Sequence, residues 1–348
     1  MKTPYLHLEY DRLVKNIRDL ATLAAANGTL LRPHCKSHKT LEIARLQMEH
    51  GATGITAATL KEAEMCLRGG IPSVTLAYPL VDREKAEAFQ ALRGLGELRT
   101  IIISREHGEW MNQAFAGSEP LPVYLKIDSG LGRLGVLREE ASSLASYLQG
   151  LDNLRLMGLL THGGMSYSGA LSLEEAARQE MESTLLPEHP GLICSCGSTP
   201  SIRPLLQHPE VQEARPGNYV FYDRTMLALG AARTEQVSLF LKTMVLDRKE
   251  DRLIIDAGSK ALSSDGGVHG NQSLEGYGLI LEDPSLVLYR LSEEHGFVRG
   301  SGISSFRPGD ILTIIPNHAC ATVNLHDSME VWKEGGYVHP FIIAARGH

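Results

Sequence analysis

No apolar run in the 348 residues approaches the roughly 20 that a membrane span needs. The opening stretch, Met-Lys-Thr-Pro-Tyr-Leu-His-Leu-Glu, has neither the apolar core of a secretion signal nor the bias of a transit peptide. Basic blocks are missing too. With 34 Lys and Arg against 41 Asp and Glu, the net charge is −7, which speaks against nucleic-acid or anionic-lipid partners. The five cysteines (Cys35, Cys66, Cys194, Cys196, Cys320) are odd in number and scattered, so no disulfide framework is expected. Aromatics are 6% of residues, and Trp110 and Trp332 stand too far apart to suggest a stacking platform. These absences predict a cytoplasmic protein without membrane or nucleic-acid partners. What remains, 43% hydrophobic and 22% charged, is ample for a core. At roughly 150 residues per domain the length suits two domains, or one large barrel with an appendage.

The chain has two textures. Apolar runs at 29–34, 54–58, 73–78, 99–104, 122–128, 154–161, 192–196 and 214–220 alternate with amphipathic stretches such as 41–49, 60–68, 83–92 and 173–185. Eight strand–helix units in this span predict a (β/α)8 barrel; a doubly wound open sheet is the competing layout. The alternation stops after about Gly230. Runs at 237–246, 252–256, 277–281, 285–291, 310–316 and 337–345 then read as strands between Gly, Asp and Ser turns, an all-β domain. The expected division is a barrel over 10–232 and a β domain over 233–348, to which the opening strand 1–9 is also assigned.

Functional residues of such a barrel sit at the C-terminal strand ends and in the loops after them. The first unit ends in Arg32-Pro33-His34-Cys35-Lys36-Ser37-His38-Lys39-Thr40. Strand alternation sends His34 and Lys36 to one side, which makes Lys36 a candidate for imine chemistry; Lys39, past the turn, is expected to be solvated. The seventh unit runs into Gly197-Ser198-Thr199-Pro200, hydroxyls and backbone N–H groups at a helix start, the make-up of a phosphate seat. The next offers Arg215-Pro216-Gly217-Asn218-Tyr219, whose glycine permits close backbone approach. Pro316-Asn317-His318-Ala319-Cys320 carries a His-x-Cys pair that, on a strand, faces one way and suits a soft divalent metal, zinc first. Each segment is weak alone: the first serves equally as a loop cap, the second as an ordinary turn, and the third is more often core. Cys194 and Cys196 read as buried strand thiols. A strand-end lysine opposite a phosphate seat suggests pyridoxal phosphate (PLP).

These segments, together with Lys126-Ile127-Asp128-Ser129-Gly130…Arg133-Leu134-Gly135 and His162-Gly163-Gly164…Tyr167, resemble the D-serine dehydratase/D-threonine aldolase family. These are fold-type III PLP enzymes with an alanine-racemase-like barrel and a β domain, and the likeness runs in order along nearly the whole chain. The resemblance implies that Lys36 attaches the cofactor. Gly197, Ser198, Thr199, Gly217, Asn218 and Tyr219 fall on its phosphate cradle, Arg133 and Tyr167 on neighbours of its ring, and His318 and Cys320 on the metal pair. It implies Zn2+, with Mn2+ or another divalent ion as alternatives, a D-amino acid substrate and a homodimer. The dehydratase branch carries His-x-Cys where a characterised type of aldolase carries His-x-Asp. The reading therefore leans to dehydration of a D-3-hydroxy amino acid to a 2-oxo acid and ammonia, with Lys36 as the Cα base. Retro-aldol cleavage to glycine and an aldehyde is the alternative, with His162 as the base at the β-hydroxyl.

Three further readings stay open. An amino-acid racemase of this fold has no evident use for the metal pair. A non-catalytic PLP carrier is typically a single barrel, and a sugar-phosphate enzyme leaves Lys36 unexplained. The polar segment 256–266 reads mainly as a β-domain turn, and His326 and Asp327 as candidates to support the metal pair.

Overall fold

Two of the barrel strands are short because proline stops them early. A computed structural model describes residues 2–267 and 274–347, so Met1 and His348, the outer limits of the two expected domains, lie outside the described residues. The eight parallel strands are β2 (Leu30–Leu31), β3 (Ile55–Ala57), β4 (Ser73–Leu76), β5 (Glu97–Ile102), β6 (Leu121–Lys126), β7 (Leu154–Leu160), β8 (Ile193–Cys196) and β9 (Glu213–Ala214). Their ladder runs β2-β9-β8-β7-β6-β5-β4-β3, and a parallel bridge between His34 and Thr56 joins its two ends. This is the expected barrel, and the open sheet is excluded. Pro33 ends β2 after two residues, and Pro216 does the same to β9. The expected strand 214–220 therefore keeps only Ala214 in the sheet and ends in a 3-10 turn, Asn218–Val220.

The helices are α1 (Tyr10–Ala26), α2 (Leu41–Glu49), α3 (Leu60–Arg68), α4 (Arg83–Leu92), α5 (Arg105–Ala114), α6 (Arg138–Gln149), α7 (Leu173–Ser183), α8 (Ile202–Leu205) and α9 (Arg224–Ala228). Thr40, Thr59, Asp82, Ser104 and Ser172 accept from the third backbone N–H of α2, α3, α4, α5 and α7, the capping chemistry that starts a helix. Among the described residues no helix is long and apolar enough to cross a membrane.

The barrel floor is polar. Glu213 accepts from Arg32 Nε at 2.8 Å and Ser195 Oγ at 2.5 Å, with Arg99 NH1 at 3.9 Å. Ser73 Oγ takes Arg32 NH1 at 2.8 Å and donates to Glu97 at 2.6 Å, and Arg99 NH1 reaches the Tyr124 hydroxyl at 3.1 Å. Arg215 NH1 donates to Ser195 Oγ, so the network rises from the floor to the barrel mouth.

The second sheet has nine strands: β1 (Tyr5–Glu9), β10 (Leu239–Arg248), β11 (Leu253–Ile255), β12 (Gly278–Ile280), β13 (Val287–Leu291), β14 (Gly296–Arg299), β15 (Ile311–Pro316), β16 (Ser328–Lys333) and β17 (Gly336–Ile342). Antiparallel pairing of β10 with both β11 and β15 closes β10-β11-β14-β13-β12-β15 into a ring around Val245, Leu253, Ile255, Leu288, Val298 and Ile314. Strand β1 lies in this sheet, antiparallel to β10 and parallel to β16. Two strands had not been expected, β14 and β16. Two short helices, α10 (Ser259–Leu262) and α11 (Ala319–Val323), interrupt the strands.

Candidate active site

Lys36 sits in a 3-10 turn, Cys35–Ser37, that follows β2 and opens with His34. His34 N–H donates to Pro216 O at 3.0 Å, which fixes the turn against the loop after β9. His34 and Lys36 do share a side, and both line a cavity of about 190 Å³ at the barrel mouth. Burial holds the Lys36 amine below its ordinary range. The nearby Cys320 thiol opposes this and the Arg133 and Arg215 charges add to it, so more of the amine is uncharged and nucleophilic near neutrality. Lys39 departs from expectation: it is buried at φ +53°, with its Nζ 3.0 Å from Gly347 O and 3.3 Å from Glu62 Oε1. A C-terminal carbonyl and a buried carboxylate compensate the charge that water was expected to solvate.

The same cavity is lined by Gly197, Ser198, Thr199, Gly217 and Asn218. Gly197 is at φ +112°, a turn that glycine allows. A Cβ on Gly217 would lie 2.8 Å from Ser37 Oγ and 3.1 Å from His34 Cβ, so only a hydrogen fits between the two loops. Glu180 of α7 binds both cavity loops: its Oε1 accepts from Gly163 N and Gly197 N, each at 2.8 Å. Burial raises the Glu180 carboxyl pKa, against those hydrogen bonds and the Arg215 and Lys126 charges.

His162 and Tyr167, in the loop after β7, also line the cavity, their rings 6.2 Å apart. Two of the expected cofactor contacts are placed elsewhere. Tyr219 is buried with its hydroxyl accepting from Gln47 Nε2 at 3.0 Å, and is not in the cavity lining. Arg133 is exposed in the loop after β6, outside the lining, although its charge reaches Lys36 and His34.

His318 and Cys320 line the same cavity, though not through strand alternation. β15 ends at Pro316; His318 precedes α11 and Cys320 lies in its first turn. His318 Nδ1 bonds Asp265 Oδ2 at 2.8 Å, and the ring also interacts with the Cys320 thiol. Burial pushes the His318 imidazole pKa down, but the bond to Asp265 and the adjacent Cys320 lift it to about 10. Burial likewise pushes the Cys320 thiol up; the bond and charge of His318, with Ser37 Oγ and Lys36, outweigh it and hold the thiol below its ordinary value. Asp265 comes from the segment read mainly as a turn. His326 and Asp327 face elsewhere, the first to Ala261 O at 2.9 Å and the second to Arg346 at 3.1 Å.

The lining fits a phosphorylated aldehyde cofactor. It has one amine of lowered pKa, a second cation in Arg215, and buried polar atoms without a hydrogen-bond partner among the described residues: Thr199 Oγ1, Asn218 Oδ1 and His34 Nδ1. An imidazole nitrogen beside a thiol of lowered pKa fits a soft divalent ion. Among the described residues no group of three His, Cys, Asp or Glu is placed to share one, so substrate or water must fill the shell.

Comparison with known proteins follows the same layout. Residues 8–225 match the alanine racemase N-terminal domain, and residues 238–332 match the serine dehydratase domain. The D-threo-3-hydroxyaspartate dehydratase of Delftia sp. (strain HT23) is 32% identical over 92% of each chain. The D-threonine aldolase of Arthrobacter sp is 27% identical over 99% of this chain and 93% of the other. A solved structure of a D-threo-3-hydroxyaspartate dehydratase, a cysteine-to-alanine mutant in the metal-free form, superposes with a TM-score of 0.90 at 29% identity, covering 100% of this chain and 98% of that one. Sequence, sheet order and these likenesses agree that the chain belongs to the alanine racemase N-terminal domain family, with the barrel followed by a serine dehydratase domain.

Proposed function

We propose that the protein is a PLP- and metal-dependent lyase that dehydrates a D-3-hydroxy amino acid to a 2-oxo acid and ammonia. The observation that carries this reading is that Lys36 and the His318–Cys320 pair line one cavity. The dehydratase name of the Delftia relative supports it, and so does the metal-free form reported for a cysteine mutant of such an enzyme. In this reading Ser198, Thr199, Gly217 and Asn218 seat the phosphate and Lys36 holds the aldehyde carbon. Bound PLP supplies an electron sink for the bond that breaks at Cα. Lys36 Nζ, held below the ordinary range of an amine, would take the Cα proton. His318 and Cys320 are the residues that hold the ion, zinc first, whose Lewis acidity favours departure of the β-hydroxyl. The reading also treats 10–232 and 233–348 as domains of a cytoplasmic homodimer.

One observation favours a second reading. His162 lines the cavity, where an imidazole can take the β-hydroxyl proton that retro-aldol cleavage must remove. D-threonine separates the two. Ammonia with 2-oxobutyrate supports dehydration, and glycine with acetaldehyde overturns it in favour of cleavage.

Alanine at His318 or Cys320, or chelation of the wild-type enzyme, is expected to lower kcat at least about 100-fold, the scale of losing a Lewis acid. The visible absorbance of lysine-bound cofactor should persist in both variants. Full activity in the presence of chelator would remove the metal from the reaction.

A further inference from the structure

Asp223 is fully buried beside the cavity, and its two oxygens are bound from three directions. Oδ1 accepts from Met226 N at 3.1 Å, capping α9. Oδ2 accepts from the Asn218 side chain at 2.5 Å and from Ala319 N at 3.0 Å. Asn218 belongs to the loop after β9, on the cradle side of the cavity, whereas Ala319 stands between His318 and Cys320. One carboxylate oxygen therefore ties a residue of the barrel to the backbone of the 318–320 turn in the second sheet. A second tie runs parallel to it: Thr225 Oγ1 donates to Asn317 O at 2.7 Å. A buried carboxylate is costly unless its hydrogen bonds are kept, so the Asn218 side chain and the Ala319 N–H are held in register. Any ligand that fixes one of them narrows the positions open to the other.

We propose that cofactor and metal bind cooperatively, and that Asp223 is the positioning residue that couples them. The inference rests on the reading that His318 and Cys320 hold a metal, and it goes beyond that reading by linking the two sites. Linkage makes the effect reciprocal: the factor by which PLP tightens the metal equals the factor by which the metal tightens PLP. The expected factor is about tenfold, within the usual range for coupled sites.

Zn2+ affinity is measured by chelator competition on the full chain with and without PLP, and PLP affinity by absorbance with and without Zn2+. Asp223→Asn keeps a capping oxygen for Met226 but sets an NH2 group against the two converging N–H donors. It should still bind both ligands, with the coupling reduced to less than about twofold. If Asp223→Asn fails to fold, Asn218→Ser removes the barrel-side bond together with a cradle side chain; its PLP affinity should fall with and without Zn2+ alike, and the ratio of the two affinities, which is the coupling, should fall to less than about twofold. Equal Zn2+ affinity in the PLP-free and PLP-loaded wild type overturns the proposal. So does wild-type coupling retained in the variants, which would assign it to direct attraction between phosphate and ion. Absence of Zn2+ binding in every form removes the metal reading itself, and the coupling with it.

Discussion

Replacing Lys36 by alanine is expected to lower turnover by at least about 10⁴-fold, because in the proposed reading one side chain carries two duties. Losing a positioned acid or base alone costs roughly 10²–10⁴, and here the covalent hold on the cofactor goes as well. Neighbouring lysines offer no substitute. Lys39 is committed to Gly347 O and Glu62, and Lys126 donates to Ile127 O at 3.1 Å, outside the cavity lining. The proposed phosphate cradle keeps its residues, so the variant should bind PLP without the visible signature of attachment to lysine. Lys36→Arg, which keeps charge and bulk but cannot form the bond, should behave alike. A Lys36→Ala protein that retains both the signature and turnover would transfer the chemistry to another residue.

The second large effect is on stability. Glu213→Ala leaves Arg32, its partner at 2.8 Å, without the carboxylate, and also strips the acceptor from Ser195 and the nearby charge from Arg99. Breaking one side of a buried pair costs about 3–5 kcal/mol, against a few tenths for an exposed pair such as Arg83–Glu87. The urea midpoint of the variant should fall accordingly, and Glu213→Gln should recover part of the loss through its remaining oxygen. Burial alone would raise the Glu213 carboxyl, but Arg32, Ser195 and Arg215 together depress it. Its contribution is therefore complete above the ordinary glutamate pKa and is lost as pH falls through the lower folded value. A midpoint within experimental scatter of wild type would mean that water reaches the barrel floor and screens the arginines.

The barrel was legible because each strand run stands between helix-start residues, and the limits of α2, α3 and α4 follow from Thr40, Thr59 and Asp82. Lys36, His318 and Cys320 stand on segments that are weak singly and are brought together by the family resemblance, and the structure places all three in the lining of one cavity. What escaped depends on partners far along the chain. Lys39 looks exposed until the C-terminal segment is placed on it, and Asp265 looks like a turn until His318 is brought 2.8 Å away. Glu180 did leave a signal: it shares a helix face with the buried Ala176, Ala177 and Met181, and a carboxylate on an apolar stripe asks for a partner. Strand β16 alternates buried Met329 and Val331 with more accessible neighbours, a period-2 pattern too short to stand out in a polar stretch.

The bond from His34 N to Pro216 O lies where the first and last strands of the ring, β2 and β9, meet. Contacts so distant along the chain form late in folding. During synthesis, Lys36 therefore leaves the ribosome well before the loop that will face it exists. The cofactor has no seat until the region around residue 218 has emerged and the ring has shut. In refolding, the optical signal of the seated cofactor should lag behind helix formation and report ring closure, making PLP a clock for the last step of barrel assembly.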